Sequence, residues 1–481
     1  MDERNLTLLT DLYQLTMMNG YLHHERKDEV AVFDVFFRQN GIITYSLACG
    51  LEQIVNYILN LNFGEDEIKY LKSLNIFSQE FLDFLKDFKF TGDVYAVPEG
   101  TMVFPGEPIL TVKAPIMQAQ LIETAILNML NFQTLIASKA AKICYAAKGD
   151  SVMEFGLRRA QAPDAGIYGA RAAVIGGCNS TSNVLAGKMF DIPVSGTHAH
   201  SWVMNFKDEY TAFMEYAKVY PENTLLLVDT YDTLKQGVPN AIKVFDHLKS
   251  QGYKPKGIRL DSGDLAYLSK KARQMLDDAG YPDTIICASG DLDEKSIDSL
   301  KNQGAKINTW GVGTKLITSA DMPALGGVYK LAAVFQGEEE TPKIKVSENP
   351  AKITNPGFKN IYRVYDNKTG KAEADVIFLR SEKPIDTSKP LVLTHPTDRW
   401  KKITFIDYTV RPLQEHIIKD GKLIYKLPTL KEIKEYAKKE MDSFWDEYLR
   451  LDSPHLFKVD LSDELYELKR KMLVEIRGGE K

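Results

Sequence analysis

Between about residues 116 and 335, short apolar runs alternate with longer segments in which apolar positions recur every three or four residues. The runs "SVMEF", "FDIPVSGT", "TLLLVDT", "GIRLD", "TIICASG", "NTWGVGT" and "GVYKLAAVF" predict seven strands. The segments between them, such as "DTLKQGVPNAIKVFDHLKSQG" and "GDLAYLSKKARQMLDDAG", are mostly long enough for a helix. Repeated strand-helix units imply parallel strands, so an α/β fold is expected: an irregular (β/α) barrel of about seven strands. Residues 1–115 have another texture. There "VAVFDVFFR" is rich in β-branched and aromatic residues, and "GDVYAVPEGTMVFPGEPILTVKAP" is broken by Pro and Gly turns, which predicts an N-terminal α+β domain. Residues 336–481 open on the polar stretch "QGEEETPKIKVSENPAKITNPG", pass through "NIYRVY" and "ADVIFL", and end in charged helices. This C-terminal α+β region is expected to pack on the N-terminal domain.

A chain of 481 residues is long enough for two or three domains and a sizeable core. Its 44% hydrophobic and 26% charged content are those of an ordinary globular protein, and a formal net charge of -5 offers no basic footprint for nucleic acid. A small-molecule substrate is expected. The N-terminal stretch "MDERNLTLLTDLYQLTMMNGYL" is acidic at its start and lacks a long apolar run, so neither a signal peptide nor a membrane span is predicted, and a cytoplasmic location is expected. Cys49, Cys144, Cys178 and Cys287 have no CxxC spacing, which suits reduced thiols better than disulfides or a zinc site.

In a βα barrel the loops after the strands converge on one mouth, and chemistry belongs there. Those positions carry Phe155, Arg158 and Arg159; then Thr197, His198 and His200; then Asp229; then Arg259, Asp261 and Asp264. The last two ends, "ASGD" with Gly290 and "GVGTKL" with Gly313, Thr314 and Lys315, bear glycines that let backbone N–H groups approach phosphate oxygens. Each has a plainer reading: tight turns for the glycines, a structural ion pair in "RLDSGD", a helix start in "FGLRR", solvated rings for the histidines. Together they point to an anionic, phosphorylated substrate in a barrel mouth. A metal pair at His198 and His200 lacks company, since only aspartates stand near to complete it. A histidine nucleophile needs one free ring nitrogen and a partner on the other, and Asp229 at the next strand end could supply that partner.

The stretches "LLTDLYQLTM", "FDVFFR", "EFGLRRAQ", "GTHAHS", "LVDTYDT", "GIRLDSGDL" and "WGVGTKL" occur in the order found in one family. Over nearly its whole length the chain resembles the nicotinate phosphoribosyltransferases. The resemblance implies a type II phosphoribosyltransferase-like barrel that moves phosphoribose from phosphoribosyl pyrophosphate to nicotinate, as the first step of NAD salvage from nicotinate. It also implies Mg²⁺, and ATP hydrolysis coupled through a phosphohistidine. That histidine closes the pattern "GTxAH", which is His200 here; His198 falls on the variable position and is left as a pocket-wall residue. Phe155 and Tyr13 resemble the two rings that sandwich the pyridine, with Tyr13 arriving from the partner subunit of a homodimer. Arg158, Thr197 and Arg259 are similar to residues near nicotinate and the ribose phosphate. Gly290, Gly313 and Thr314 resemble the late-strand phosphate clamps, and Asp261 and Asp264 are placed near ribose hydroxyls or metal, whose ligands are otherwise unassigned. A sister enzyme acting on nicotinamide carries an aspartate where "GGCNSTSNVLAG" has Ser182, and a carboxylate there would repel nicotinate. A non-catalytic ligand-binding relative is the remaining alternative.

Overall fold

The computed structural model describes residues 4–38, 44–396 and 398–478. The chain forms two compact units, one of residues 136–323 and one that joins residues 1–135 to 324–481.

The unit of residues 136–323 is built on six parallel strands: β1 (Ser151–Glu154), β2 (Ser180–Thr181), β3 (Leu225–Leu227), β4 (Gly257–Leu260), β5 (Ile285–Gly290) and β6 (Thr309–Val312). Their order in the sheet is β2-β1-β6-β5-β4-β3. The first strand therefore lies beside the last, which rolls the sheet and leaves β2 and β3 facing one seam. Glu154 pairs with Val312 and Gly290 with Val312, so three strand ends finish on one rim. Near-continuous apolar runs suit strands covered on both faces, and Leu225, Leu226 and Leu227 are all buried.

Two of the seven expected strands differ. "FDIPVSGT" forms no strand; it touches the sheet only through a parallel bridge between Thr181 and Val194. Pro193 accepts from the Thr181 N–H at 3.1 Å but has no N–H of its own to carry a ladder further. "GVYKLAAVF" lies in the other unit, where Gly327–Gln336 runs antiparallel between Val30–Phe37 and Glu339–Pro342. Residues 116–135 also cluster with that unit, so the division falls at 135/136, within the helix Glu123–Ala146, and not at the expected 115/116.

The other unit is α+β, drawn from both chain ends. It holds a seven-stranded sheet and a four-stranded sheet containing Lys359–Asp366 and Ala372–Leu379. At the centre of the second lies Arg363, fully buried. Its guanidinium donates to both oxygens of Asp375 at 2.8 and 2.6 Å, to Glu440 at 2.9 Å and to the Met102 carbonyl at 2.6 Å. The ring of Phe444 covers it at 4.8 Å. Burial, with the charge of Asp375, holds the nearby Glu107 carboxyl well above the usual carboxylate range. Among the described residues no helix is long and apolar enough to cross a membrane, and none of the four cysteines is in a disulfide.

A buried guanidinium with two carboxylate partners is costly to break from one side, because the stranded acids keep their desolvation cost. Arg363→Leu is expected to destabilise this unit by about 3–5 kcal/mol, read from urea unfolding or from amide exchange in Lys359–Asp366. A loss below about 1 kcal/mol would mean the network contributes little.

Candidate active site

The rim of the rolled sheet is organised by Arg259, on β4. Its Nε donates to Ser289 Oγ of β5 at 2.9 Å, Nη1 to Thr197 Oγ1 at 2.7 Å, and Nη2 to Asp261 Oδ1 at 3.1 Å. The Ser289 hydroxyl also donates to Asp261 Oδ1. Burial alone would raise the Asp261 carboxyl, but these donors and the Arg259 charge outweigh it and hold the group below its ordinary range. Asp261 is thus an anion at neutral pH.

Phe155 follows β1. The turn is set by the buried Glu154, which accepts from the Gly156 N–H and, at 2.5 Å, from Thr181 Oγ1. The ring of Phe155 lies over Gly311, where an added Cβ would come within 2.7 Å of it. The Arg259 guanidinium stands 5.9 Å from the ring centre. Ser182, one residue past β2, donates its N–H to the Glu154 carbonyl at 2.9 Å, beside the same turn. Arg158 and Arg159 are exposed on the turn Leu157–Arg159 and make no ion pair among the described residues.

The two histidines of "GTHAHS" have separate environments. His198 is 8% exposed, packed edge-on against Tyr216 at 4.9 Å, and burial pushes its imidazole down to about 4. His200 opens the short helix His200–Met204 with 39% of its side chain exposed. Its Nδ1 lies 3.1 Å from Thr230 Oγ1, and its Nε2 lies 3.8 Å from Asp261 Oδ2. The expected orienting partner, Asp229, makes no hydrogen bond to His200. Its Oδ2 instead accepts from the Asp261 N–H at 2.9 Å and the Ser262 hydroxyl at 2.7 Å. Beyond β3 the chain turns one residue further than the sequence spacing suggests, so Thr230 takes the place at His200 and Asp229 ties down the loop after β4.

At the late strands, Gly290 has φ +119, and a Cβ there would sit 3.0 Å from the Asp261 carbonyl, so the close approach of two strand ends requires glycine. Gly313 and Thr314 follow β6, with Gly313 against the Phe155 carbonyl. Lys315 is not a free cation: its Nζ is 2.8 Å from Asp293 Oδ2. Asp264 caps the helix Leu265–Asp278, accepting from the Tyr267 N–H at 2.9 Å.

Tyr13 belongs to the other unit, on the helix Leu12–His23, 46% exposed. Burial and the neighbouring Glu123 carboxylate push its hydroxyl up to about 12. Sequence reasoning did not single out its surroundings. Arg38, at the end of "FDVFFR", has a buried Nε with no hydrogen-bond partner among the described residues. Burial pushes the amine of half-buried Lys330 down, and the charges of Lys345 and Arg38 add to that against Glu123. Ser289, Thr230 and Glu154 were also missed, although each adjoins a residue that was named; a polar side chain next to a strand-end residue already singled out was the available signal.

Residues 8–131 match the N-terminal domain of nicotinate phosphoribosyltransferase, 151–370 the nicotinate phosphoribosyltransferase family, and 358–469 its C-terminal domain. The nicotinate phosphoribosyltransferase of Bacillus subtilis (strain 168) is 45% identical over 480 residues, covering 98% of this chain and 96% of that one. The chain belongs to the nicotinate phosphoribosyltransferase family. The Caenorhabditis elegans enzyme of that name is 36% identical over 521 residues, covering 96% of this chain and 92% of that one. The crystal structure of human nicotinic acid phosphoribosyltransferase superposes with a TM-score of 0.83 at 29% identity, covering 97% of this chain and all of that one.

The depressed imidazole of His198 gives a pH signature. The unfolded ring takes a proton near its ordinary 6.5, whereas the folded ring refuses it until about 4. Between these values the unfolded state binds more protons, so stability falls as pH drops through the window. This group should account for about 2 kcal/mol of the stability lost between pH 7 and pH 5. In His198→Gln that share of the pH dependence should vanish in urea titrations at the two pH values; an unchanged slope would mean that the ring is not held neutral.

Proposed function

We propose that this chain transfers the phosphoribosyl group of phosphoribosyl pyrophosphate to nicotinate, releasing pyrophosphate, with ATP hydrolysis coupled through phosphate carried on His200. The observation that carries the reading is the convergence of Phe155, Thr197, His200, Arg259 and Asp261 on one rim of the barrel. An aromatic ring, a cationic anchor with a hydroxyl beside it, and a histidine beside a carboxylate are groups this chemistry needs.

Nicotinate stacks flat on Phe155, which leaves the ring edge free for its carboxylate to meet Arg158, whose exposed guanidinium makes no ion pair among the described residues. The pyridine nitrogen attacks ribose C1, the C1–O bond to pyrophosphate breaks, and that electron pair leaves on the pyrophosphate oxygen. No proton moves. Positive charge grows on the sugar in the transition state, and Asp261, already an anion, stabilises it through space. Backbone N–H groups in the turns after Gly290 and Gly313, with the Thr314 hydroxyl, receive phosphate oxygens. For Mg²⁺, one or two protein carboxylates suffice when a diphosphate supplies the other ligands. No group of three metal-ligating side chains occurs among the described residues, but the buried Asp229 Oδ1 has no hydrogen-bond partner there. Asp229 and Asp261 are the residues that would hold the ion, which would neutralise charge on the departing diphosphate.

For the coupled reaction, one nitrogen of His200 attacks the γ-phosphorus of ATP, ADP leaves, and the phosphoryl group later passes to water. Thr230 holds the ring's Nδ1 side, which fixes its orientation. A homodimer with shared sites completes the reading. Leu9, Leu12, Tyr13 and Met17 are exposed along one segment, and Val184, Leu185, Val194 and Met204 are exposed near Ser182 and His200. Two-fold pairing of two such apolar faces is self-complementary, and it brings Tyr13 of the partner subunit to the nicotinate ring. A cytoplasmic location belongs to the same reading.

Pyrophosphate release should require nicotinate, with nicotinamide and quinolinate poor in its place. Ser182→Asp should shift preference toward the amide by about tenfold or more, since it adds an acceptor for the amide N–H and a charge against the carboxylate. An unchanged preference would remove Ser182 from the pocket, and no release with any of the three would remove the activity.

With MgATP, acid-labile phosphate should appear on the native protein and be absent from His200→Ala. Tyr13→Ala and His200→Ala dimers should each be nearly inactive, yet refolded together should recover roughly a quarter of native activity, because half the dimers are mixed and carry one intact site of two. No recovery in verified mixed dimers would place Tyr13 outside its partner's site.

A further inference from the structure

The barrel has one seam without a ladder, between the Thr181–Val194 bridge and β3, and His198 stands in it. Its Nε2 lies 3.3 Å from the Leu227 N–H at the end of β3 and accepts from it. The imidazole thus takes the place a backbone carbonyl would hold in a strand pair. An Nε2 that accepts must be unprotonated, which puts the ring proton on Nδ1, 3.5 Å from the Ala199 carbonyl. Burial, with the nearby charges of Arg259 and His200, keeps the ring neutral, so the lone pair is available.

Ala199 is extended, φ -99 and ψ 167. In extended backbone, side chains two apart point the same way. His198 and His200 therefore both face the chain leaving β3: the first meets Leu227, the second meets Thr230. Two residues beyond His200, Trp202 Nε1–H donates to the Ala212 carbonyl at 3.0 Å. His200 is half-exposed itself but is held from both sides by buried or bonded neighbours.

We propose that His198 is a positioning residue that anchors His200 by closing the barrel seam with its own ring nitrogen. The proposal rests on the reading of His200 as the phosphorylated residue, and it gives the variable position of the "GTxAH" pattern a task in this chain. The predicted requirement is an acceptor at the Nε2 position, not a histidine as such.

The test compares His198→Phe, which keeps the ring and removes the acceptor, with His198→Gln, whose Oε1 reaches the same place. In the full-length protein, His198→Phe should lower the rate of His200 phosphorylation and the kcat of nicotinate-dependent pyrophosphate release by about tenfold or more, because small misplacements of a reacting group cost that much. His198→Gln should stay within about threefold of native in both. Equal rates in His198→Phe and native protein overturn the anchor, as does a loss in His198→Gln matching that in His198→Phe while both melt like native. A readout on the native protein does not depend on either variant's activity. With ¹⁵N-labelled histidine at pH 7, the ring assigned to His198 by its disappearance in His198→Gln should be neutral with Nε2 unprotonated; a protonated Nε2 overturns the proposal. If native protein releases pyrophosphate but takes no phosphate from MgATP, the phosphohistidine reading fails and the anchor is judged on pyrophosphate release alone.

Discussion

The rim of the barrel depends on one guanidinium. Arg259 uses Nε, Nη1 and Nη2 for three different partners, on β5, on the seam loop and on the loop after its own strand. A guanidinium is planar, so its partners must lie near one plane, and that requirement fixes the relative heights of three chain segments. A lysine could place a charge there but could not set the plane. The arrangement also determines the state of Asp261, whose one oxygen is saturated by Arg259 and Ser289 while the other faces His200. In the proposed reaction the charge that meets the sugar and the charge that meets the histidine belong to one carboxylate, so ligand binding on either side would be felt on the other.

Burial separates the work of the two histidines. The side chains have the same chemistry and sit two residues apart, yet one is sunk against the helix Glu209–Val219 and the other stands at the opening. A buried imidazole loses its charged form and becomes a fixed acceptor. An exposed one leaves part of its ring open to a ligand. The sequence "HAH" in an extended segment produces this split because both side chains point toward β3 at different depths.

Five of the six barrel strands were legible from apolar runs, while the short polar strand Ser180–Thr181 was not, and charged and glycine-bearing residues marked the strand ends. Partnership was not. "GVYKLAAVF" has the composition of a strand in either unit, and composition does not name the neighbour it pairs with. "FDIPVSGT" carries the right apolar content but a proline where a ladder needs an N–H. The assignment of Asp229 rather than Thr230 to His200 failed for a geometric reason: where a strand ends, one residue of turn changes which side chain faces inward, and spacing alone cannot resolve one residue. Tyr13 was named through motif order. Arg38, Lys345 and Glu123, whose charges all act on Lys330, come from distant parts of the chain, so no local pattern could have shown them together.

The missing ladder at the seam is what lets the chain bring polar side chains to the rim there. Where β1, β6, β5 and β4 pair, their backbone groups satisfy one another and successive side chains are fixed to alternate faces. The segment from Val194 to His200 is free of that constraint beyond its single bridge, so it can climb from the sheet to the rim within a few residues and deliver Thr197 to Arg259 and His200 to Asp261. Freedom of that kind would leave a buried N–H on β3 unpaired, and an orphaned donor costs about 1–3 kcal/mol. His198 supplies the acceptor that β3 would otherwise lack, which closes the seam beneath the rim while the segment above it stays free of a ladder.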